Sequence, residues 1–148
     1  MGRVEQLWIK RMRKGPMDPS RAATFVADAG ILGNANQGGR RQVTVIEQEV
    51  FQRVAQSLPD AQPVMRRANV MVSGVPLQGS RNQILHLGDV RVLVQGETRP
   101  CERMDEQCPG LTQALDPEWN GGVYGVVLDD GEVAVGDEVR LEESHEES

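Results

Sequence analysis

The chain has 148 residues and a formal net charge of −6, and aromatic residues make up only 3% of it. That length fits one domain, which buries a core of aliphatic side chains without disulfides or a structural metal. An acidic protein with few aromatic rings is a poor partner for nucleic acid, because its field repels a polyanion and it has few rings for bases to stack on. With no secretory signal and no apolar run of membrane length, we expect a cytoplasmic protein without a membrane partner.

The net charge hides an uneven distribution along the chain. Lysine and arginine outnumber acids in residues 1–67, whereas residues 68–148 are strongly acidic. Screening makes the nearest charges matter most, so an acidic protein of this kind still binds a small anion through a basic patch. The first half is therefore where we expect an anion to be held.

Residues 4–10 have the pattern of a first strand, with Trp8 and Ile9 at its buried end. Two prolines and a glycine in residues 11–19 predict a basic loop, which is either a solvated surface segment or an anion-contacting loop. Four glycines in residues 30–39 allow close approach of backbone amides to a ligand, or simply form a surface loop. This segment matches neither a P-loop nor a dinucleotide fingerprint.

Residues 41–46 alternate like a strand and lead almost directly into a helix. In residues 47–58 the apolar side chains recur at helical spacing, and Pro59 ends the pattern. Beyond a loop, Arg66, Arg67 and Asn69 stand at the entrance to another strand. Adjacent strand residues point to opposite faces, so Arg67 is the arginine that shares a face with Asn69.

The second half is predicted to be a series of short strands with glycine at the corners. Residues 84–87 and 90–95 flank a Gly88-Asp89 turn, and His86 should face away from the two leucines beside it. Residues 123–128, 132–135 and 138–141 read as two turn-linked strand pairs. Together these patterns predict a mainly β protein with a closed or partly closed β-barrel and a few short helices, in which residues 1–141 form one domain and residues 142–148 an acidic, frayed tail.

Cys101 is the residue best suited to covalent or metal chemistry. A thiol becomes a nucleophile or metal ligand only after it ionises, and nearby cations lower its pKa. Arg99 and Arg103 flank it in sequence. Pro100 should end the preceding strand, which would leave Cys101 at the start of a short helix.

Cys108 has no such surroundings and is expected to be a small structural residue. The spacing of the two cysteines, without further cysteine or a nearby histidine, also disfavours zinc.

Taken in order along the chain, these segments resemble the MOSC domain, the module at the C-terminus of molybdenum cofactor sulfurases that also occurs as small bacterial proteins. The resemblance rests on several short motifs together: Trp8-Ile9, residues 30–33, residues 41–45, Arg67-Ala-Asn69 with Gly74, residues 87–89, Pro100-Cys101, Gly121-Gly122 and Gly136-Asp137. It implies a closed barrel with its cysteine in a pocket. Relatives usually carry Gly-Asp where this chain has Gly33-Asn34, and a histidine that often follows is missing here.

The resemblance also implies a function. In the family the cysteine is proposed either to ligate molybdenum in a bound pterin cofactor or to carry a persulfide, and related domains occur in enzymes that reduce N-hydroxylated compounds. Cys101 takes that cysteine's place, and Arg67 and Asn69 match the motif that lines the pocket. The cofactor's phosphate would need basic residues, for which the candidates are Arg67, Arg41, Arg40 and Lys10, with Arg99 and Arg103 beside the cysteine.

Two kinds of function remain open at this point. The first is a protein associated with the molybdenum cofactor, either as an oxidoreductase component with a redox partner or as a sulfur carrier. A sulfur carrier needs a separate cysteine desulfurase to hold the pyridoxal phosphate, because this chain lacks that domain. The second is a non-catalytic barrel that binds a small anionic ligand or a protein.

Overall fold

The backbone is mostly extended. A computed structural model describes residues 2–12, 15–35, 37–63, 68–98, 110 and 122–142, and these contain eleven strands and one α-helix. In chain order the elements are β1 (Gly2–Lys10), β2 (Met17–Ser20), β3 (Ala22–Val26), β4 (Gly30–Ile31), β5 (Val43–Glu47), α1 (Gln48–Ser57), β6 (Val70–Ser73), β7 (Ile84–Leu87), β8 (Val90–Glu97), β9 (Val123–Val127), β10 (Gly131–Ala134) and β11 (Glu138–Glu142).

Seven strands close into a barrel in the order β11-β7-β8-β9-β5-β6-β1, and β1 pairs back with β11. β2 adds to the outside edge of β1, while β10, β3 and β4 form a separate small sheet. Within the barrel only β5 and β6 run parallel, and α1 connects them because parallel neighbours need a crossover. The predicted mainly β barrel is confirmed.

One apolar cluster of valine, leucine, isoleucine and alanine, with a single phenylalanine, joins the inward side chains of the barrel strands to residues of the small sheet, among them Phe25 and Val133. Most strands follow the expected alternation, with one face inward and the other at least partly exposed. β5 differs, because Val43 to Ile46 are all buried. Val43 and Val45 join the interior cluster, whereas Ile46 packs on the other side of the sheet with Trp8 and Met71. The outer face of β5 is therefore covered as well.

The predicted helix is present and packs against β5 and β6. Its buried side chains are Val50, Phe51 and Val54, as the helical spacing indicates. At its N-terminal end, the Glu47 carboxylate accepts a bond from the Leu77 backbone N–H at 3.1 Å. Burial raises the pKa of Glu47 above its ordinary value, although this hydrogen bond acts in the opposite direction.

The basic segment predicted as a loop ends in a strand instead. β2 pairs antiparallel with β1, which places Pro19 opposite Trp8 and Met17 opposite Lys10. β2 lies at the edge of the sheet. Proline is tolerated at that position because an edge strand has one side on which its backbone needs no partner.

The C-terminal strands form where they are predicted, but the predicted pairing is wrong. β9 pairs with β5 and β8, β10 with β3, and β11 with β1 and β7. The two aspartates between β9 and β10 bind other segments: Asp130 accepts a bond from the Ala27 N–H and Asp129 from the Arg91 N–H. These bonds direct β10 into the second sheet, although the turn residues resemble those of a hairpin.

The β7–β8 hairpin forms as predicted, and His86 faces away from the interior. Its Nε2 lies 2.6 Å from the Glu142 carboxylate. Glu142, the first residue of the predicted tail, belongs to β11, and residues 143–148 lie outside the described residues.

Candidate functional site

Asn69 lies immediately before β6 and is buried on the outer side of the barrel wall. Its side-chain oxygen accepts a bond from the Thr44 backbone N–H at 3.1 Å, and its own backbone N–H donates to the Thr44 hydroxyl at 3.1 Å. Its side-chain nitrogen donates to the Trp8 carbonyl at 3.3 Å. Asn69 thus ties together the ends of β1, β5 and β6. We call Asn69, Thr44 and Asn34 the amide cluster.

Asn34 follows β4 and is only 5% exposed. Its side-chain oxygen accepts two bonds, from the Lys10 backbone N–H at 2.8 Å and from the Asn69 side-chain nitrogen at 3.1 Å. A backbone N–H can only donate, so the Lys10 bond fixes which end of the Asn34 amide points toward β1. The Thr44 N–H fixes the Asn69 amide in the same way. The orientation of both amides follows from backbone donors.

This orientation leaves the side-chain NH₂ of Asn34 buried, with no acceptor among the residues that the structure describes. A buried donor without a partner costs about 1–3 kcal/mol, so native structures rarely leave one unmet. An acceptor atom from a ligand, or from a residue outside the described ranges, would remove that cost. The amide cluster therefore holds a buried N–H donor in a fixed orientation, and this donor is available to an oxygen or nitrogen acceptor.

A row of residues crosses the outer face of the sheet beside the amide cluster. Thr44 on β5 is paired with Tyr124 on β9, which is paired with Gly96 on β8. Directly paired strand residues point to the same face, so these three positions lie side by side. We call Thr44, Tyr124 and Gly96 the outer row.

In the sequence, the segment that carries Cys101 lies between β8 and β9. Its described ends are joined, because the Thr98 N–H donates to the Gly122 carbonyl at 2.8 Å. Gly122 has a φ of +91°, and a Cβ there would overlap the Val45 carbonyl oxygen. The close approach holds Gly122 against β5, and Thr98 is bonded to Gly122. Cys101 follows Thr98 by three residues in sequence.

Of the predicted basic residues, Arg41 contacts the outer row and Arg40 bonds to the residue before Gly96. The Arg41 guanidinium lies 5.8 Å from the centre of the Tyr124 ring, a cation–π distance, and the Arg40 Nε donates to the Gln95 side chain at 3.3 Å. Lys10 lies elsewhere, at the end of β1, where its backbone N–H donates to Asn34. The structure therefore associates Asn69 and Lys10 with the amide cluster and Arg40 and Arg41 with the other end of the row.

The remaining predicted site residues, Cys101, Arg67, Arg99 and Arg103, lie outside the described residues, and so does Cys108. Within the described ranges, no group of three histidine, cysteine, aspartate or glutamate side chains could hold a metal ion.

Sequence reasoning did not single out Tyr124, and it left the role of Asn34 in doubt. The sequence did contain a signal for Tyr124. It is the single tyrosine of the chain, and it lies in a strand between Val123 and Gly125, which point to the opposite face. The Asn34 side chain is held by hydrogen-bond donors from two other segments, Lys10 and Asn69, and no local sequence pattern predicts these contacts. The prediction for the glycine-rich segment was also incomplete, since several of its amides bind within the protein, including Ala35 N–H to the Lys10 carbonyl at 2.6 Å.

A closed seven-stranded barrel with buried amides on its outer wall defines the architecture and one polar site. The model of the MOSC domain matches residues 32–140, which is more than half of the chain, and the protein therefore belongs to the MOSC domain family.

Solved structures agree with this fold. The YuaD protein from Bacillus subtilis superposes with a TM-score of 0.82 at 22% identity, covering 98% of both chains. YiiM from Escherichia coli gives a TM-score of 0.69 at 15% identity over 97% of this chain and 70% of the other. YiiM from Geobacillus stearothermophilus gives 0.72 at 14% identity over 98% and 76%. No curated protein matches the sequence.

The single described helix is far too short to cross a lipid bilayer, and no membrane-spanning helix occurs in the described part of the chain.

Proposed function

We propose that this protein binds the pterin-based molybdenum cofactor on the outer face of the barrel, with Cys101 as the thiolate ligand. Membership of the MOSC domain family makes the molybdenum cofactor the first ligand to consider. The observation that carries the proposal is the buried NH₂ of Asn34, which has no acceptor in the described part of the structure. A pterin ring and its phosphate are rich in the oxygen and nitrogen acceptors that such a donor needs.

The described residues fit a ligand of this kind. Asn34 supplies a donor whose direction is fixed by Lys10 and Asn69, so little conformational entropy is lost when a ligand accepts from it. Asn69 acts through Asn34 and is a positioning residue. Arg40 and Arg41, at the other end of the outer row, provide positive charge for an anionic group.

Cys101 contributes the soft sulfur donor that molybdenum needs, and it does so as a thiolate. Its sequence neighbours Arg99 and Arg103 favour that charged form. When bound, the cofactor supplies two-electron redox chemistry of the type that reduces N-hydroxylated compounds. The protein's own residues bind and orient the cofactor.

The test is the metal content of protein made in a host that synthesises the cofactor and purified without oxygen. We expect stoichiometric molybdenum in the wild type and in Cys108→Ser, and none in Cys101→Ser. The Cys108→Ser variant is the matched control because it removes the other thiol. Intact mass should be measured on the same samples.

Absence of molybdenum from the wild type would refute the proposal. A gain of one sulfur atom in mass, reversed by reductant and missing only in Cys101→Ser, would instead identify a sulfur carrier. If neither molybdenum nor sulfur is found, the non-catalytic barrel is the remaining interpretation.

A further inference from the structure

Gln37 is an exposed residue that follows Asn34 by three positions in the sequence. Its side-chain nitrogen donates two hydrogen bonds, to the Ile31 carbonyl at 2.8 Å and to the Asn34 carbonyl at 2.8 Å. A carbonyl oxygen can only accept, so these two contacts fix which end of the Gln37 amide points inward. We call Ile31, Asn34 and Gln37 the glutamine clamp.

The clamp holds the main chain of Asn34 on both sides. The Ile31 carbonyl accepts from the Asn34 N–H at 3.0 Å as well as from Gln37. The Asn34 carbonyl belongs to the peptide unit that Asn34 shares with Ala35, and the N–H of that unit donates to the Lys10 carbonyl at 2.6 Å. Because a peptide unit is planar, bonds at its two ends fix its orientation. Gln37 supplies one of those two bonds.

The position of the main chain decides where the Asn34 side chain points. Its side-chain oxygen is held by the Lys10 N–H and by the Asn69 side chain, which both belong to other segments. These contacts hold the amide group, whereas Gln37 holds the backbone that carries it. Gln37 itself is exposed and is not part of the apolar core. Its two bonds therefore serve the placement of Asn34 and not the packing of the barrel.

We propose that Gln37 is a positioning residue, which fixes the direction of the Asn34 NH₂ before a ligand arrives. A donor that is already fixed loses little conformational freedom on binding, whereas a mobile donor must first be ordered. The proposal rests on the proposed function for the identity of the ligand. The fixed direction of the NH₂ is a property of the protein without any ligand, so it has a test of its own.

Two substitutions at Gln37 separate its donors from its size. Gln37→Met keeps the length of the side chain and its lack of charge, but it removes both N–H donors. Gln37→Lys places ammonium N–H donors within reach of the same two carbonyls, so it should restore the clamp. The matched control is Gln52→Met, because Gln52 is exposed on α1.

The first measurement is the NMR order parameter of the Asn34 side-chain NH₂ in metal-free, ¹⁵N-labelled protein. We expect about 0.8 in the wild type, Gln37→Lys and Gln52→Met, and less than about 0.6 in Gln37→Met. The urea unfolding midpoints of the four proteins should lie close together, because Gln37 and Gln52 are both exposed. A local loss of order with nearly unchanged stability distinguishes positioning from a general loss of structure.

The second measurement is the half-time of molybdenum loss after dilution of the loaded proteins without oxygen. Gln37→Met should lose molybdenum about five- to tenfold faster than the wild type, since its ligand must order the Asn34 side chain. Gln37→Lys and Gln52→Met should lose it at close to the wild-type rate.

Equal order at the Asn34 NH₂ in the wild type and Gln37→Met would overturn the proposal. Reduced order combined with a wild-type rate of molybdenum loss would also overturn it, because the fixed direction would then not matter for binding. A wild type that contains no molybdenum would refute the proposed function instead, and the metal-free measurement would then decide the role of Gln37 by itself.

Discussion

The two faces of β5 are both buried but have different chemistry. On the inner face, Val43 and Val45 join the apolar cluster that the barrel strands share with the small sheet. On the outer face, Thr44 joins a hydrogen-bonded cluster of two asparagines, and Ile46 packs beside it with Trp8. Apolar burial on the inner face stabilises the fold without directional bonds. Polar burial on the outer face needs every partner in place, and one donor there still lacks a described acceptor.

The two faces of β5 therefore divide two tasks: the inner face stabilises the fold, and the outer face is available for binding. Truncation of an inner side chain leaves a cavity in the apolar core. Truncation of an outer side chain removes specific hydrogen bonds and leaves their buried partners unpaired. Within the outer face, Asn69 is fully occupied by protein partners and Asn34 is not. We therefore expect Asn69 to contribute mainly to folding and Asn34 mainly to ligand binding.

The largest expected effect is at Gly122, which precedes β9 and lies against β5. Gly122→Ala forces a Cβ onto the Val45 carbonyl oxygen at a φ of +91°. Backbone strain and overlap together should lower the free energy of unfolding by about 2–5 kcal/mol. Urea unfolding followed by tryptophan fluorescence measures this change.

Gly136→Ala is the matched control, because Gly136 has a φ of +98° but no atom within 4 Å of an added Cβ. It should cost only the strain, about 1–2 kcal/mol. If the two variants lose equal stability, the close approach of Gly122 to β5 has no energetic role.

The second prediction separates the two asparagines. Asn69→Ala leaves the Thr44 N–H without its side-chain acceptor and should cost about 2–4 kcal/mol of unfolding free energy. Asn34→Ala leaves the Lys10 N–H and one Asn69 N–H without their acceptor, but it also removes a buried NH₂ that is itself unpaired, so its net cost should be smaller, about 1–2 kcal/mol. The reverse order of stability would contradict the assignment of Asn69 to folding.

The smallest expected effect is a pH dependence of the unfolding free energy caused by Glu47, the last residue of β5, which directly precedes α1. Burial raises the pKa of this carboxyl in the folded state, so the folded protein binds the proton more tightly than the unfolded chain. The resulting stabilisation is present below the ordinary pKa and is lost as the pH rises through the folded value. Glu47→Gln keeps an oxygen for the Leu77 N–H but does not ionise.

Stability should therefore be compared by urea unfolding at about pH 4 and about pH 7. Relative to Glu47→Gln, the wild type should lose stability between these two values. A wild type that gains stability over that interval would show that the Leu77 bond, which lowers the pKa of Glu47, outweighs burial.

Much of the fold could be predicted because periodicity is local. The alternation in β5 and the helical spacing of Val50, Phe51 and Val54 each lie within a few residues, and both elements form where expected. Strand pairing is different, because a turn signal reports that the chain reverses but not which strand it joins. The residues between β9 and β10 have hairpin character, yet Asp130 binds Ala27 and the chain enters the second sheet.

The site was predictable in its residue types but not in its grouping. The sequence shows the basic residues near the start of the chain and indicates on which face of its strand Asn69 lies. Their convergence depends on contacts between distant segments, such as Lys10 with Asn34 and Asn34 with Asn69.

In the proposed function, the unpaired NH₂ of Asn34 donates a hydrogen bond to the ligand. The most direct measurement is the molybdenum content of Asn34→Ala, produced and purified without oxygen beside the wild type, with the unfolding free energy of both recorded. We predict that Asn34→Ala loses most of its molybdenum while its unfolding free energy falls by only about 1–2 kcal/mol. Wild-type molybdenum content in this variant would contradict the claim.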